Sequence, residues 1–334
     1  MNNSDFKVFV TGADGMLGAS ICRELLSQGY KVKAMVILNR KVSVISDLDI
    51  EIIEGNVLDI NGLESNMSDC QFVINVAALT NVWPRSSESV MKVNFQGAMN
   101  VAQVAQKFKL LRMVQIGTAS SFGAGPKENP GVESTEYDSG KYQMDYITSK
   151  YLAQNALLEK NEKEGFPVII VNPTFMIGPF DTGPSSGKMI LEFYKGKVPA
   201  YTSGGKNFVS SLDVAAATVN ALRHGNIGQC YIAGNENLTF GEFFQKVEKV
   251  SQKKFKMFRV PNALLFLFGL FNSAIARIRN KPPQISYTMA RMAANGQYYN
   301  PRKAVDELKM PQTPIENAIE KCLNWYKKNG YLTD

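Results

Sequence analysis

The chain has 334 residues, 45% of them hydrophobic and 20% charged, enough for a sizeable core in one large domain or two closely joined ones. A net charge of +7 invites a nucleic-acid partner, but the lysines are spread along the chain with no basic block interleaved with aromatics, so none is expected. His224 is the only histidine, and Cys22, Cys70, Cys230 and Cys322 lie far apart; a His-rich metal site, a Ser-His-Asp triad and a disulfide framework are disfavoured, and reduced thiols in a cytoplasmic protein are expected.

Residues 6–10 form a short apolar run that reads as a buried strand, and Leu17, Ile21 and Leu25 recur at helical spacing up to a stop at Gly29. Between them lies Thr11-Gly12-Ala13-Asp14-Gly15-Met16-Leu17-Gly18, a glycine turn feeding a helix N-terminus. Unpaired backbone N–H groups and the positive end of the helix dipole make such a turn an anion site. Gly12 would make the turn, Gly15 would admit a pyrophosphate, and Gly18 would let the helix pack on the strand. Glycines also mark ordinary turns, but this placement favours a dinucleotide, with Asp14, Met16 and Leu17 in the same stretch.

Residues 31–36 predict a second parallel strand, completing a β-α-β unit. Where a carboxylate would bind the ribose 2′-OH of NAD, the chain runs Asn39-Arg40-Lys41. Arg40 and Lys41 suit a 2′-phosphate, which favours NADP(H) over NAD(H), the plainer reading being a solvated loop. A third strand and its exit loop follow over 50–59, and a fourth strand over 71–78, ending in the small residues Ala77 and Ala78 that leave room for a ligand. A helix over 94–107 leads to a strand over 111–117 and a long polar loop over 123–140. The strand over 168–171 ends at Asn172-Pro173. Past Pro173 the pattern loosens: a strand beginning at Phe208-Val209, a helix from about 213 to 222, a last sheet strand at 229–234, a helix capped by Thr239, then largely helical sequence.

This order predicts an α/β fold, a doubly wound Rossmann parallel sheet with a smaller, mostly helical C-terminal substrate lobe. Residues 1–171 with about 205–234 would bind the dinucleotide, and 172–204 with 235–334 would form the lobe. The membrane-like run 263–271 is too short to span a bilayer and is expected as a buried helix; the alternative is weak interfacial docking helped by Arg277, Arg279 and Lys281. No signal peptide is read at the N-terminus.

Two Tyr-x-x-x-Lys matches compete for the chemistry. Tyr137 to Lys141 contains Asp138-Ser139-Gly140, which disfavours helix, whereas Tyr146 to Lys150 runs into a helix through Leu152, Ala156 and Leu157. There Tyr146 and Lys150 share a face, and a nearby cation would lower the phenol pKa and make it a usable acid or base. Thr118-Ala119-Ser120-Ser121 follows the fifth strand, where a second donor to a developing alkoxide belongs.

Taken together, residues 11–18, Gly55 to Asp59, Ala77-Ala78, Asn94 with Gly97, Tyr146 with Lys150, Asn172-Pro173-Thr174 and Asp213-Val214 make the chain resemble the extended short-chain dehydrogenase/reductases of the NAD-dependent epimerase/dehydratase family. Within them it is most similar to the dihydroflavonol-reductase-like branch. The resemblance implies that Tyr146 moves the proton, Lys150 holds the nicotinamide ribose, Thr118 rather than Ser120 or Ser121 steadies the substrate oxygen, and Asn94 supports the site. It also places Asn56 at the adenine, and counts Val57, Pro173 and Thr174 among the cofactor-binding residues. Asn56 stands where the family has aspartate, and Asn75 where relatives often have histidine.

The leading expectation is an NADP(H)-dependent reductase of a small ketone or aldehyde, or a dehydrogenase of the alcohol. A nucleotide-sugar epimerase or dehydratase is the alternative, weakened by Thr174 where sugar-nucleotide members often carry asparagine. A dinucleotide-binding sensor without catalysis is the third, disfavoured by the presence of both Tyr146 and Lys150. Trp83, Phe122, Phe175 and Phe180 are candidate pocket walls, though each also reads as plain packing. A small-molecule substrate is the expected partner, and a homodimer is possible as in many relatives.

Overall fold

The computed structural model describes residues 2–37, 43–279, 281, 283 and 285–332. Six strands come first: β1 (Lys7–Thr11), β2 (Lys31–Val36), β3 (Glu51–Glu54), β4 (Phe72–Asn75), β5 (Arg112–Ile116) and β6 (Val168–Pro173). The chain then leaves for a second unit with β7 (Phe175–Ile177), β8 (Ala200–Tyr201) and β9 (Gly205–Ser210). It returns for β10 (Cys230–Ala233), and ends in the second unit with β11 (Glu236–Thr239), β12 (Phe258–Arg259) and β13 (Gly296–Gln297). The main sheet is parallel throughout, in the order β10-β6-β5-β4-β1-β2-β3. Strand order reverses between β1 and β4, so a crevice opens at their carboxyl ends.

Helices α1 (Met16–Ser27), α2 (Ile60–Met67), α3 (Glu88–Met91), α4 (Gly97–Lys107) and α5 (Asp145–Glu164) connect the early strands. Then come α6 (Lys188–Tyr194), α7 (Ser211–His224), α8 (Phe240–Ser251), α9 (Asn262–Arg279), α10 (Tyr287–Ala294), α11 (Arg302–Leu308) and α12 (Ile315–Lys328). Strand alternation divides the core between the two faces of the sheet. Val8 and Val10 of β1 pack with Ile21, Leu25, Val214 and Leu308 from α1, α7 and α11; Phe9 between them packs with Leu63, Val101 and Leu157 from α2, α4 and α5. The sheet is therefore covered on both sides, which makes its continuous apolar strands favourable.

The second unit has its own core, built where α6, α8 and α12 close on a small mixed sheet of β7, β9, β11 and β13. Phe208 and Phe243 stack there with ring centroids 4.2 Å apart. Thr239 caps α8 in a reciprocal capping box with Glu242.

Three features differ from the sequence expectation. The sequence expectation groups Gly205–Ser210 with the dinucleotide unit, yet β9 is the hub of the small sheet; within residues 205–234 it is α7 and β10 that return to the large one. The helix expected over 94–107 begins as a π-helical turn, Lys92–Gln96, before α4. Residues 263–271 do form a helix, but most of α9 is not buried: Leu265, Gly269 and Ala276 are covered, while Leu267, Phe271 and Ile278 are exposed. Its apolar residues run around the whole circumference, and the lobe can cover only one side.

Candidate active site

The site is assembled at the carboxyl ends of β1, β4, β5 and β6. Thr11, the last residue of β1, is buried; its Oγ1 donates to Asn75 Oδ1 (2.6 Å) and accepts from the N–H groups of Val76 (3.1 Å) and Ala77 (3.0 Å). That bond set fastens the glycine turn to the end of β4. Gly12 has a φ of +64°, and a Cβ there would lie 2.9 Å from the Ala77 backbone. A Cβ on Gly18 would lie 2.2 Å from the Gly12 carbonyl oxygen, so α1 can pack this closely only without one. Gly15 differs, because a Cβ there meets only that oxygen, at an ordinary 3.5 Å.

A cleft of about 430 Å³ runs from this turn across the sheet. Its walls include Gly12, Asp14, Gly15, Met16, Leu17 and Gly18 from the turn, Ala77 and Ala78 after β4, and Thr118 after β5. Tyr146 and Lys150 of α5 face it, as do Pro173 and Thr174 at the end of β6. The first turn of α1 leaves its N–H groups without intrahelical acceptors at this wall, which suits a pyrophosphate. The residues present thus fit a dinucleotide.

Lys150 is buried, with Nζ donating to the Ile116 carbonyl at 2.8 Å, and burial pushes its pKa down to about 8. Tyr146 is partly open to the cleft. Burial raises its phenol pKa, and the Thr118 hydroxyl beside it pulls the other way. This differs from the expectation of a lowered value: burial dominates, and the Lys150 ammonium is engaged with the Ile116 carbonyl. Thr118 is held by its own N–H, which donates to Asn172 Oδ1 (3.0 Å), and its Oγ1 caps a short 3-10 turn by accepting from the Ser120 N–H (3.3 Å).

Asn94 does not line the cleft. From the π-helical turn its Oδ1 accepts from the Leu79 N–H (2.8 Å), while Nδ2 donates to the Leu79 carbonyl (3.0 Å) and to Ser149 Oγ (3.1 Å). It therefore pins the loop after β4 to the residue preceding Lys150. Asn56 and Val57 lie off the cleft wall as well: Asn56 Oδ1 accepts from the Leu58 N–H (3.0 Å), and buried Val57 packs against Gly97. Arg40 and Lys41 lie outside the described residues. The competing Tyr137 is stacked on Tyr151, with centroids 3.8 Å apart, and Lys141 is paired with Asp138, so that match is surface packing.

In the loop from Gly178 to Gly187 the sequence reading singles out Phe180 alone, yet Asp181, Thr182, Gly183 and Ser185 form the far wall of the cleft. Buried Asp181 accepts from the N–H groups of Ser185 (2.9 Å) and Gly187 (3.1 Å) and from the Tyr326 hydroxyl (3.0 Å). Phe180 adopts a left-handed φ of +71° and lies 4.3 Å beneath the Arg23 guanidinium of α1. Two Gly-Pro pairs, at 178–179 and 183–184, are the local sequence signal for this loop. Trp83, Phe122, Phe175 and Phe180 are absent from the cleft wall; Phe122 packs under the sheet and Phe175 against Phe208.

The profile of the NAD-dependent epimerase/dehydratase family matches residues 8–234, the span that carries this cleft. The chain belongs to that family. It is 30% identical to "Putative dihydroflavonol 4-reductase" of Synechocystis sp. over 97% of this chain and 95% of that one. It is 26% identical to "Sterol demethylase protein B" of Methylococcus capsulatus over 97% and 99%. Among solved structures, that of gox2253 superposes with a TM-score of 0.86 at 27% identity, covering 98% of this chain and 99% of the other. These likenesses carry the extended short-chain dehydrogenase/reductase fold and a nicotinamide-dinucleotide-dependent enzyme of the oxidoreductase or epimerase type.

Proposed function

We propose that this family member is an NADP(H)-dependent reductase of a ketone or aldehyde, reversible with the corresponding alcohol. The observation that carries the reading is Tyr146 beside the Thr118 hydroxyl on the wall of the cleft, one helical turn from buried Lys150, opposite the open N-terminus of α1. A reduced nicotinamide dinucleotide, when bound, supplies the hydride. Tyr146 holds the proton that the substrate oxygen needs as negative charge builds there, and Thr118 donates a hydrogen bond to the same oxygen. Lys150 keeps a positive charge near the phenolate left behind. Asn94 positions α5 without touching the reacting atoms. Gly12, Gly15, Gly18, Met16 and Leu17 would hold the pyrophosphate, and Ala77, Ala78, Pro173 and Thr174 would flank the dinucleotide. The preference for NADP(H) rests on Arg40 and Lys41 in the sequence.

The test is turnover of NADPH and of NADH with a panel of aldehydes and ketones. Tyr146→Phe should cut kcat by about two to four orders of magnitude while leaving dinucleotide binding intact. A Tyr146→Phe enzyme as fast as wild type would overturn the assignment. Arg40→Ala with Lys41→Ala should erase the preference for NADPH; a ratio unchanged in that variant would remove the basis for NADP(H).

A further inference from the structure

The stretch from Lys249 to Val305 contains eleven lysines and arginines and no aspartate or glutamate, more positive charge than the net +7 of the whole chain. The helix α9 lies within it. Leu264, Leu267, Phe268, Leu270, Phe271 and Ile278 all face solvent, with Phe271 67% and Ile278 86% exposed. Five of these six, at 264, 267, 268, 271 and 278, recur at three-, four- and seven-residue spacings, which places them on one stripe. The opposite side is held to α10 by small contacts: a Cβ on Gly269 would come within 2.9 Å of Ala290 Cβ. So α9 is fastened through Leu265, Gly269 and Ala276 and still presents most of its large apolar side chains outward, unlike an ordinary surface helix.

We infer that α9 is an interfacial helix that docks the enzyme on an anionic phospholipid surface. An outward stripe of Leu and Phe with cationic residues at its end matches how helices lie in the headgroup region of a bilayer. Arg277, Arg279 and Lys281 supply those cations at the C-terminal end. Ahead of the helix, exposed Lys254, Lys256 and Arg259 flank Phe258, itself exposed. The charge decides against a second copy as the occupant, since a symmetric contact through this face would set two carboxylate-free, strongly basic segments against each other. No helix among the described residues is long and apolar enough to cross a membrane, so the contact is peripheral.

The face also adjoins the active site. Ala276 and Arg277 share a cavity of about 610 Å³ with Trp83, Arg85, Asp145 and Thr148, at the start of the helix that bears Tyr146. Met292 of α10 packs in the cluster of Tyr142, Met144 and Ile147 that reaches Tyr146. Docking by α9 would therefore bring the bilayer close to the substrate side of the cleft.

The test is sedimentation of the full chain with vesicles of phosphatidylcholine alone and of phosphatidylcholine with phosphatidylglycerol. The anionic vesicles should carry down wild type at least about tenfold more strongly, and added salt should weaken this. Leu267→Glu with Phe271→Glu, and separately Phe271→Ser, should lose vesicle binding while keeping the wild-type melting temperature and dinucleotide affinity. Arg279→Glu with Lys281→Glu should lose the selectivity for anionic lipid. The inference is overturned if wild type stays in the supernatant, if it prefers neither vesicle, or if Phe271→Ser binds as wild type does. It is equally overturned if light scattering shows a dimer that Phe271→Ser splits, or if the protein binds heparin and no vesicle.

Discussion

Lys150 Nζ donates to the Ile116 carbonyl oxygen at 2.8 Å, and Gln115 Nε2 donates to the same oxygen at 2.9 Å. Gln115 Oε1 in turn accepts from Asn75 Nδ2 (2.8 Å), and Asn75 Oδ1 accepts from Thr11 (2.6 Å). One buried chain of hydrogen bonds thus crosses the strand ends from the glycine turn to the lysine. It fixes the two halves of the cleft relative to each other.

The buried end of that chain sets a pH dependence. Lys150 has a pKa near 8, so it is cationic below that pH and neutral above it. If its charge supports catalysis, kcat/KM for carbonyl reduction should be level below about pH 8 and fall as pH rises through it. Lys150→Met should abolish the inflection along with most activity. It should also raise the melting temperature by about 2–4 °C, because no carboxylate pairs with this ammonium among the described residues. A wild-type pH profile in Lys150→Met would refute the role.

The opposite direction of the reaction tests Thr118. Alcohol oxidation needs the Tyr146 phenolate as base, and the Thr118 hydroxyl is what opposes the upward push of burial on that phenol. Thr118→Val should therefore move the alkaline rise of oxidation to higher pH and lower kcat by about ten- to a hundredfold. Thr118→Ser should restore both. A Thr118→Val profile that superposes on wild type would remove Thr118 from the site.

The glycines can be separated from one another. Gly15→Ala meets no internal clash, so urea denaturation should show wild-type stability while the dinucleotide Kd rises about tenfold or more as the methyl fills the pyrophosphate side. Gly18→Ala forces the helix off the turn and should cost about 1–3 kcal/mol even without ligand. Equal dinucleotide affinity in Gly15→Ala and wild type would place the pyrophosphate elsewhere.

Thr11 offers a purely structural measurement. Thr11→Val leaves the buried side-chain oxygen Oδ1 of Asn75 and the N–H groups of Val76 and Ala77 without their partner and should destabilise the fold by about 1–3 kcal/mol. The urea midpoint should fall at constant m-value, and Thr11→Ser should recover most of it. A midpoint unmoved by Thr11→Val would show that water satisfies these groups.

The strands of the large sheet were legible because both its faces are buried, which leaves unbroken apolar runs such as 168–171 between glycine and proline marks. The cleft residues of the glycine turn and the Tyr146–Lys150 pair were legible because local spacing carries them. What local spacing cannot carry was missed. Asp181 lies in a loop held by Tyr326, which is far along the chain, so no local pattern announces its place at the cleft. The exposure of α9 was misread for a related reason: apolar composition signals a wish to leave water, but not whether the fold supplies a neighbour.

The path of the chain itself has a consequence. After β6 it passes to the small sheet for β7 and β9, comes back for α7 and β10, and departs again for β11. Neither unit is a continuous stretch that could be cut out or exchanged whole. Arg23 on Phe180 adds a clasp from the side. Melting of this protein should be a single cooperative event, and a dinucleotide gripped at one end of the large sheet should protect the distant aromatic core of the lobe from hydrogen exchange as well.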